Sequence, residues 1–237
     1  MIRDANLKNH RAHMQLTDKT WLVVPLYNEG KVVREVLTKV RKTFPNIICV
    51  DDGSSDNSIE EALAAGVTVA AHPINLGQGA ALQTGFSYVL ENTDAKYVVT
   101  YDADGQHRVE DALAMLDAAE SEDLGFVFGS RFLEGKAETG AFKKLVLKTA
   151  AFVTRMRTGE QLTDAHNGLR VIRRDALEQI DITQNRMAHA SEIVYQLFDT
   201  KLKWREMPVH IIYTDYSRSK GQSLLNSINI LVELIMK

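Results

Sequence analysis

Five short apolar runs, each ending in a burst of polar and acidic residues, restrict this chain to few folds. They are "WLVVPL" at 21–26, "NIICV" at 46–50, "VTVAA" at 67–71, "KYVVTY" at 96–101 and "LGFVFGS" at 124–130. Between them "KVVREVLTKVRKTF", the stretch from Asp56 to Ala65, "GQGAALQTGFSYVLEN" and "VEDALAMLDAAE" repeat apolar residues at helical spacing. Near-continuous apolar strands alternating with helices predict a doubly wound α/β sheet, mostly parallel and covered on both faces. Ligands of such sheets bind beyond the carboxyl ends of the strands. "PLYNEG", "DDGSSD", "HPINLGQG", "DADGQH" and "SRF" all fall at those ends.

The second half is less regular. It reads as an amphipathic basic helix "FKKLVLKTAAFVTRMRTG", a strand "GLRVIRR", a helix "AHASEIVYQLFDT" and a long strand "WREMPVHIIYT". A polar segment "DYSRSKGQS" then leads to a last apolar helix, "LLNSINILVELIMK". The pattern implies a loose lead-in over residues 1–19 and one domain over 20–237. Residues 20–135 form its nucleotide half and 136–237 its acceptor half. A formal net charge of -3 argues against a nucleic-acid partner. The single cysteine, Cys49, lies in an apolar strand and excludes a disulfide framework. No apolar run reaches the ~20 residues of a membrane span, which predicts a cytoplasmic chain, soluble or peripheral on the membrane.

Asp102 and Asp104 leave the fourth strand with one alanine between them. Two like charges that close repel unless a cation intervenes. Asp104 and Gln106 offer hard oxygens to Mg²⁺ or Mn²⁺, with Asp102 reaching a ribose or a bridging water. Such a cation neutralises a diphosphate leaving group. His107 is a hydrogen-bonding neighbour in this reading. Asp51 and Asp52 precede Ser54, Ser55 and Asp56, which are expected to cap the following helix. A second aspartate beyond those caps suits a base N–H or a ribose hydroxyl. Gly77 and Gly79 are expected to let a helix N-terminus approach the nucleotide, with Gln78 as a contact. Arg131 follows the fifth strand, while Arg218 and Lys220 sit in the polar segment, where a lid brings cations to phosphate.

Together "VVPLYNEG", "VDDGSSD", "NLGQGAALQTGF", "YDADGQH" and "FGSRF" resemble glycosyltransferase family 2, enzymes of the GT-A fold, across roughly residues 20 to 135. Within it the resemblance runs to the dolichol- and polyprenyl-phosphate sugar synthases. "DAHNGLRVIRRDAL" stands in place of their D-x-x-x-G-x-R acceptor motif, and "YSRSKGQSLLN" resembles their basic lid. The resemblance implies a Rossmann-like mixed sheet and a hexosyltransferase that inverts the anomeric carbon. It places Pro25, Tyr27, Glu29 and Asp52 on the nucleoside of a nucleoside-diphosphate sugar. Asp102, Asp104 and Gln106 then fall on metal and diphosphate, and Arg131 and Arg218 on phosphate.

Two acceptor classes need different chemistry: a sugar hydroxyl needs a general base, and a polyprenyl phosphate needs cations. Near the acceptor face the sequence offers Asp164, His166 and Glu192 alongside Arg131, Arg170, Arg218 and Lys220. The cationic set favours the phosphate. The alternative is transfer to a glycan hydroxyl in surface-polysaccharide assembly, with Asp164 as base. A binding protein without catalysis would lack the acidic loop, and a nucleotidyltransferase would carry a basic glycine-rich loop where "PLYNEG" stands. A lipid acceptor requires membrane contact through the terminal helix or a small membrane-protein partner.

Overall fold

The computed structural model describes residues 13–133, 159–165, 167–186 and 188–212. The expected basic helix (residues 142–159, Gly159 excepted), the segment with Arg218 and Lys220, and the terminal helix lie outside the described residues, as does His166.

Seven strands form one sheet: β1 (Thr20–Leu26), β2 (Asn46–Asp51), β3 (Thr68–Ala71), β4 (Tyr97–Thr100), β5 (Phe126–Ser130), β6 (Arg170–Arg173) and β7 (Trp204–Pro208). Their order is β3-β2-β1-β4-β6-β5-β7. All pairings are parallel except those of β6, which runs antiparallel between β4 and β5. The helices are α1 (Val33–Arg41), α2 (Ser58–Ala64), α3 (Gln78–Asn92), α4 (Val109–Ser121), the single turn α5 (Arg174–Leu177) and α6 (His189–Asp199).

Strand periodicity divides the core between two faces. Leu22, Val24 and Leu26 of β1 pack with α1 and α4 through Leu37, Val40, Met115 and Leu116. Val23, pointing the other way, joins Leu82 and Phe86 of α3 and Ile193, Val194 and Leu197 of α6. Cys49 is buried in the first of these clusters, and burial pushes its thiol well above the usual range.

Three elements differ from the sequence reading. β7 ends at Pro208 because its partner β5 ends at Ser130; the chain then crosses to the acidic loop, where Ile211 bridges His107. The helix expected from Asp56 begins at Ser58, with an Asp56 oxygen accepting the Ser58 N–H at 3.0 Å. Part of the expected lead-in is packed: residues 13–18 are helical, Leu16 rests on the core, Thr17 is buried, and His13 lies 3.0 Å from Asp117.

Because β6 is antiparallel, its amino end meets the carboxyl ends of β4 and β5. Asp164, Ala165 and residues 167–169, which precede β6, thereby reach the same edge as the loops that follow β4 and β5.

Candidate active site

The acidic loop is held from beneath. Thr100 ends β4 and donates to the Gly168 carbonyl at 2.5 Å, and the buried Tyr101 hydroxyl donates to the His107 carbonyl at 2.6 Å. Asp102 Oδ2 lies 2.9 Å from His107 Nε2, and Oδ1 accepts from Gln78 Nε2 at 3.4 Å. A Cβ on Gly168 would stand 2.4 Å from Asp102 Oδ2, so any larger residue there would push the Asp102 carboxylate from its place. His107 is the hydrogen-bonding neighbour the sequence implied.

Asp104 Oδ1 accepts the Gln106 N–H at 3.0 Å. Burial pushes Asp102 upward, but the hydrogen bond and charge of His107, with Arg170 and His189, hold it below the usual carboxylate range. Asp104 moves the other way, raised by burial and then by the negative charge of Asp102, with Glu29 adding to it. Two aspartates separated by one residue thus create a negative focus with hard oxygen donors. Asp102 and Asp104 fit a divalent cation in chemistry, although no cluster of three or more His, Cys, Asp or Glu side chains assembles among the described residues.

The edge expected to take the nucleoside is built by the loops after β1, β2 and β3. The Asn28 N–H donates to Ser54 Oγ at 2.9 Å, and the Ser55 N–H donates to Asn28 Oδ1 at 2.9 Å. The serines expected as helix caps instead tie two loops together. Pro25 lies within β1, Tyr27 is 47% exposed beyond it, and the Glu29 N–H donates to Ser58 Oγ at 2.8 Å. Asp51 Oδ2 accepts the Ser54 N–H at 2.9 Å, while Oδ1 is buried without a hydrogen-bond partner among the described residues. Asp52 accepts the Leu76 N–H at 2.9 Å and the Gly77 N–H at 2.7 Å, and lies 2.9 Å from His72 Nδ1. His72 reaches Thr84 Oγ1 at 3.0 Å with its other nitrogen. Asp52, expected on the nucleoside, is a buried anchor for the 72–77 loop. His72 carried no motif to reveal it.

Gly77 has φ 110°, and a Cβ there would meet the Asn185 carbonyl oxygen at 2.2 Å. Gly79 packs on the same segment and donates its N–H to Asn185 O at 2.8 Å. The chain that approaches these glycines is therefore the protein's own 184–185 backbone. Glu192 fixes that segment by accepting the N–H groups of Thr183 and Gln184.

At the edge expected to face the acceptor, Arg131 and Asp164 meet. Arg131 Nε and Nη2 donate to Asp164 at 2.6 and 2.8 Å, and the Arg131 N–H adds a third bond at 3.1 Å. The Asp164 side chain is 0% exposed and that of Arg131 is 25% exposed. This corrects the expectation of Asp164 as a base: both its oxygens are taken by a guanidinium and closed to solvent. Glu206, which no sequence signal singled out, accepts the N–H groups of Thr163 and Asp164. Arg170 is 2% exposed, its Nε has no partner among the described residues, and burial lowers it to about 10 against the charges of Asp102 and Asp164. It is a fixed cation behind the edge.

The geometry agrees with the comparisons. The model for glycosyl transferase family 2 matches residues 21–181. The chain is 30% identical over 238 residues to a UDP-N-acetylglucosamine–dolichyl-phosphate N-acetylglucosaminyltransferase of Methanococcus voltae, covering 91% of this chain and 94% of that one. It is 30% identical over 234 residues to the polyprenol monophosphomannose synthase of Mycolicibacterium smegmatis, covering 92% and 85%. In fold it is similar to glucosyl-3-phosphoglycerate synthase from Mycobacterium tuberculosis, solved with Mg²⁺ and UDP, at 18% identity and a TM-score of 0.67 over 93% of this chain and 82% of that one. The chain is a glycosyltransferase of GT-A fold and belongs to glycosyl transferase family 2.

Proposed function

We propose that this enzyme transfers a sugar, with inversion, from a nucleoside-diphosphate sugar to a polyprenyl phosphate, assisted by Mg²⁺ or Mn²⁺. The observation that carries the reading is the Arg131–Asp164 clamp. It removes the carboxylate that a sugar hydroxyl would need as base and leaves a preorganised cation at that edge. A phosphate monoester is already nucleophilic and needs cations to bring it up to the anomeric carbon. Two relatives, one named for transfer to dolichyl phosphate and one named a polyprenol monophosphomannose synthase, support the same class.

Asp102 and Asp104, with Gln106 beside them, are the residues that would hold the metal; bound there it would offset charge on the leaving diphosphate. Tyr27, Pro25 and Glu29 border the nucleoside, with Asp51 and Asp52 shaping the loops around it. Arg218 and Lys220, outside the described residues, are the further cations proposed to meet the phosphates. No helix among the described residues is long and apolar enough to cross a membrane. A lipid acceptor brings the enzyme to the cytoplasmic face of the membrane in this reading, with the apolar sequence 224–237 or a small membrane-protein partner as the contact proposed.

The test is a panel of UDP-, GDP- and dTDP-sugars read by thermal stabilisation with and without Mn²⁺. One donor is expected to stabilise the enzyme only when metal is present. Equal stabilisation after EDTA treatment removes the metal from the reading.

A further inference from the structure

Glu206 stands on β7, away from every loop that carries a site motif, opposite Phe128 of β5. Its Oε1 accepts the N–H groups of both Thr163 and Asp164 at 2.9 Å, and Oε2 lies 3.0 Å from the Thr163 nitrogen. Those two N–H groups have no other acceptor among the described residues, and 159–165 contains no helix or strand to hold it. A second tie is short: Ser130 Oγ and Thr163 Oγ1 lie 2.6 Å apart. The chain of contacts runs from Glu206 to the 163–164 backbone, from there to the Asp164 carboxylate, and from Asp164 to Arg131.

An arginine side chain carries many rotamers, and a guanidinium already fixed loses less of that freedom on meeting a ligand. Burial raises the carboxyl of Glu206 and the charge of Asp164 raises it further, while the two N–H groups oppose this. Two carboxylates are thus stacked behind one partly exposed guanidinium.

We propose that Glu206 is a positioning residue for the transfer step: it fixes the 163–164 backbone, and through Asp164 orients Arg131 toward the acceptor phosphate. The inference rests on the reading of Arg131 as a phosphate-binding group given above. The residue itself touches no substrate.

The experiment compares wild type, E206A, E206Q, R131A and the E206A/R131A double variant. The probes are a short-chain polyprenyl phosphate as acceptor and Mn²⁺ with the nucleoside diphosphate selected by the donor panel. E206A is expected to raise the acceptor KM at least ten-fold and leave the nucleoside-diphosphate Kd within two-fold. E206Q keeps an oxygen that accepts both N–H groups and is expected within three-fold of wild type. In the R131A background, E206A is expected to add less than two-fold. Additive losses, an unchanged acceptor KM in E206A, a donor Kd that weakens in parallel, or an E206Q as impaired as E206A would each overturn the proposal. If E206A does not fold, Glu206→Asp, one methylene shorter, carries the same comparison. Independently of turnover, the Arg131 Nε–H resonance of ¹⁵N-arginine-labelled protein should be protected from exchange in wild type and exposed in E206A. A wild type that makes no lipid product defeats the functional reading, and that resonance still decides the positioning role.

Discussion

Asp52→Ala is expected to loosen the nucleoside end of the site by breaking the protein's own contacts, before any ligand contact is considered. The carboxylate accepts the Leu76 and Gly77 N–H groups at 2.9 and 2.7 Å and lies 2.9 Å from His72 Nδ1. Removing it strands two backbone donors and an imidazole. Each buried donor left unsatisfied costs about 1–3 kcal/mol. The loop is not fully dry, since Ile74 is 62% and Leu76 38% exposed, and water satisfying part of it brings the loss to about 3 kcal/mol. For a chain of this size that lowers Tm by roughly 6–12 °C. Asp52→Asn, which keeps one acceptor oxygen but turns an amide toward a donor, should fall between. Scanning calorimetry of nucleotide-free protein reads both variants. A Tm within about 1 °C of wild type, accompanied by lost nucleotide affinity, would refute the anchor and return Asp52 to the nucleoside.

Gly77→Ala places a Cβ 2.2 Å from the Asn185 carbonyl oxygen at φ 110°, and a urea melt should show a loss of about 2 kcal/mol or more; an unchanged midpoint would mean the 184–185 segment yields freely. His189 is lowered from 6.5 to about 4 by burial, so the unfolded chain binds the extra proton between those values. Stability should therefore rise with pH from about 4 to about 6.5, by at most roughly 3 kcal/mol, and His189→Gln should flatten that slope in denaturant melts; an identical slope removes His189 as its source. Arg218→Ala and Lys220→Ala are expected to lower kcat/KM by about ten-fold or more each, the loss of a charge-assisted phosphate contact, at constant Tm, and unchanged kinetics in both would make that segment a solvated loop.

The sheet was legible because its strands are apolar on both faces and its helices carry three- and four-residue spacing, so β1 to β5 and α1, α3 and α4 fall where the pattern puts them. Helix α2 was placed two residues early because Asp56 caps Ser58 from outside the helix. The direction of β6 was not legible: "GLRVIRR" has the composition of any buried strand, and only its seat between β4 and β5 brings Arg170 and Asp164 to the ligand edge. The acidic loop and Arg131 announced themselves by position after a strand. What they touch did not. Asp164 reads in sequence as a carboxylate near an acceptor, and only the fold shows it buried under Arg131. Asp52 likewise reads as a ligand-binding group until the 72–77 loop folds over it. Glu206 acts through backbone N–H groups and His72 through the side chains of Asp52 and Thr84, contacts that leave no spacing in the sequence.

In the function proposed, the sugar ends on a lipid phosphate in a metal-dependent step. The most direct measurement incubates the enzyme with its radiolabelled nucleotide sugar, polyprenyl phosphate in detergent, and Mg²⁺ or Mn²⁺, and follows label into an organic phase. The account predicts an acid-labile glycosyl phosphate lipid that is absent with EDTA and absent with Asp104→Asn of native Tm. Label transferred to a saccharide hydroxyl instead, or into lipid without any divalent ion, would contradict it.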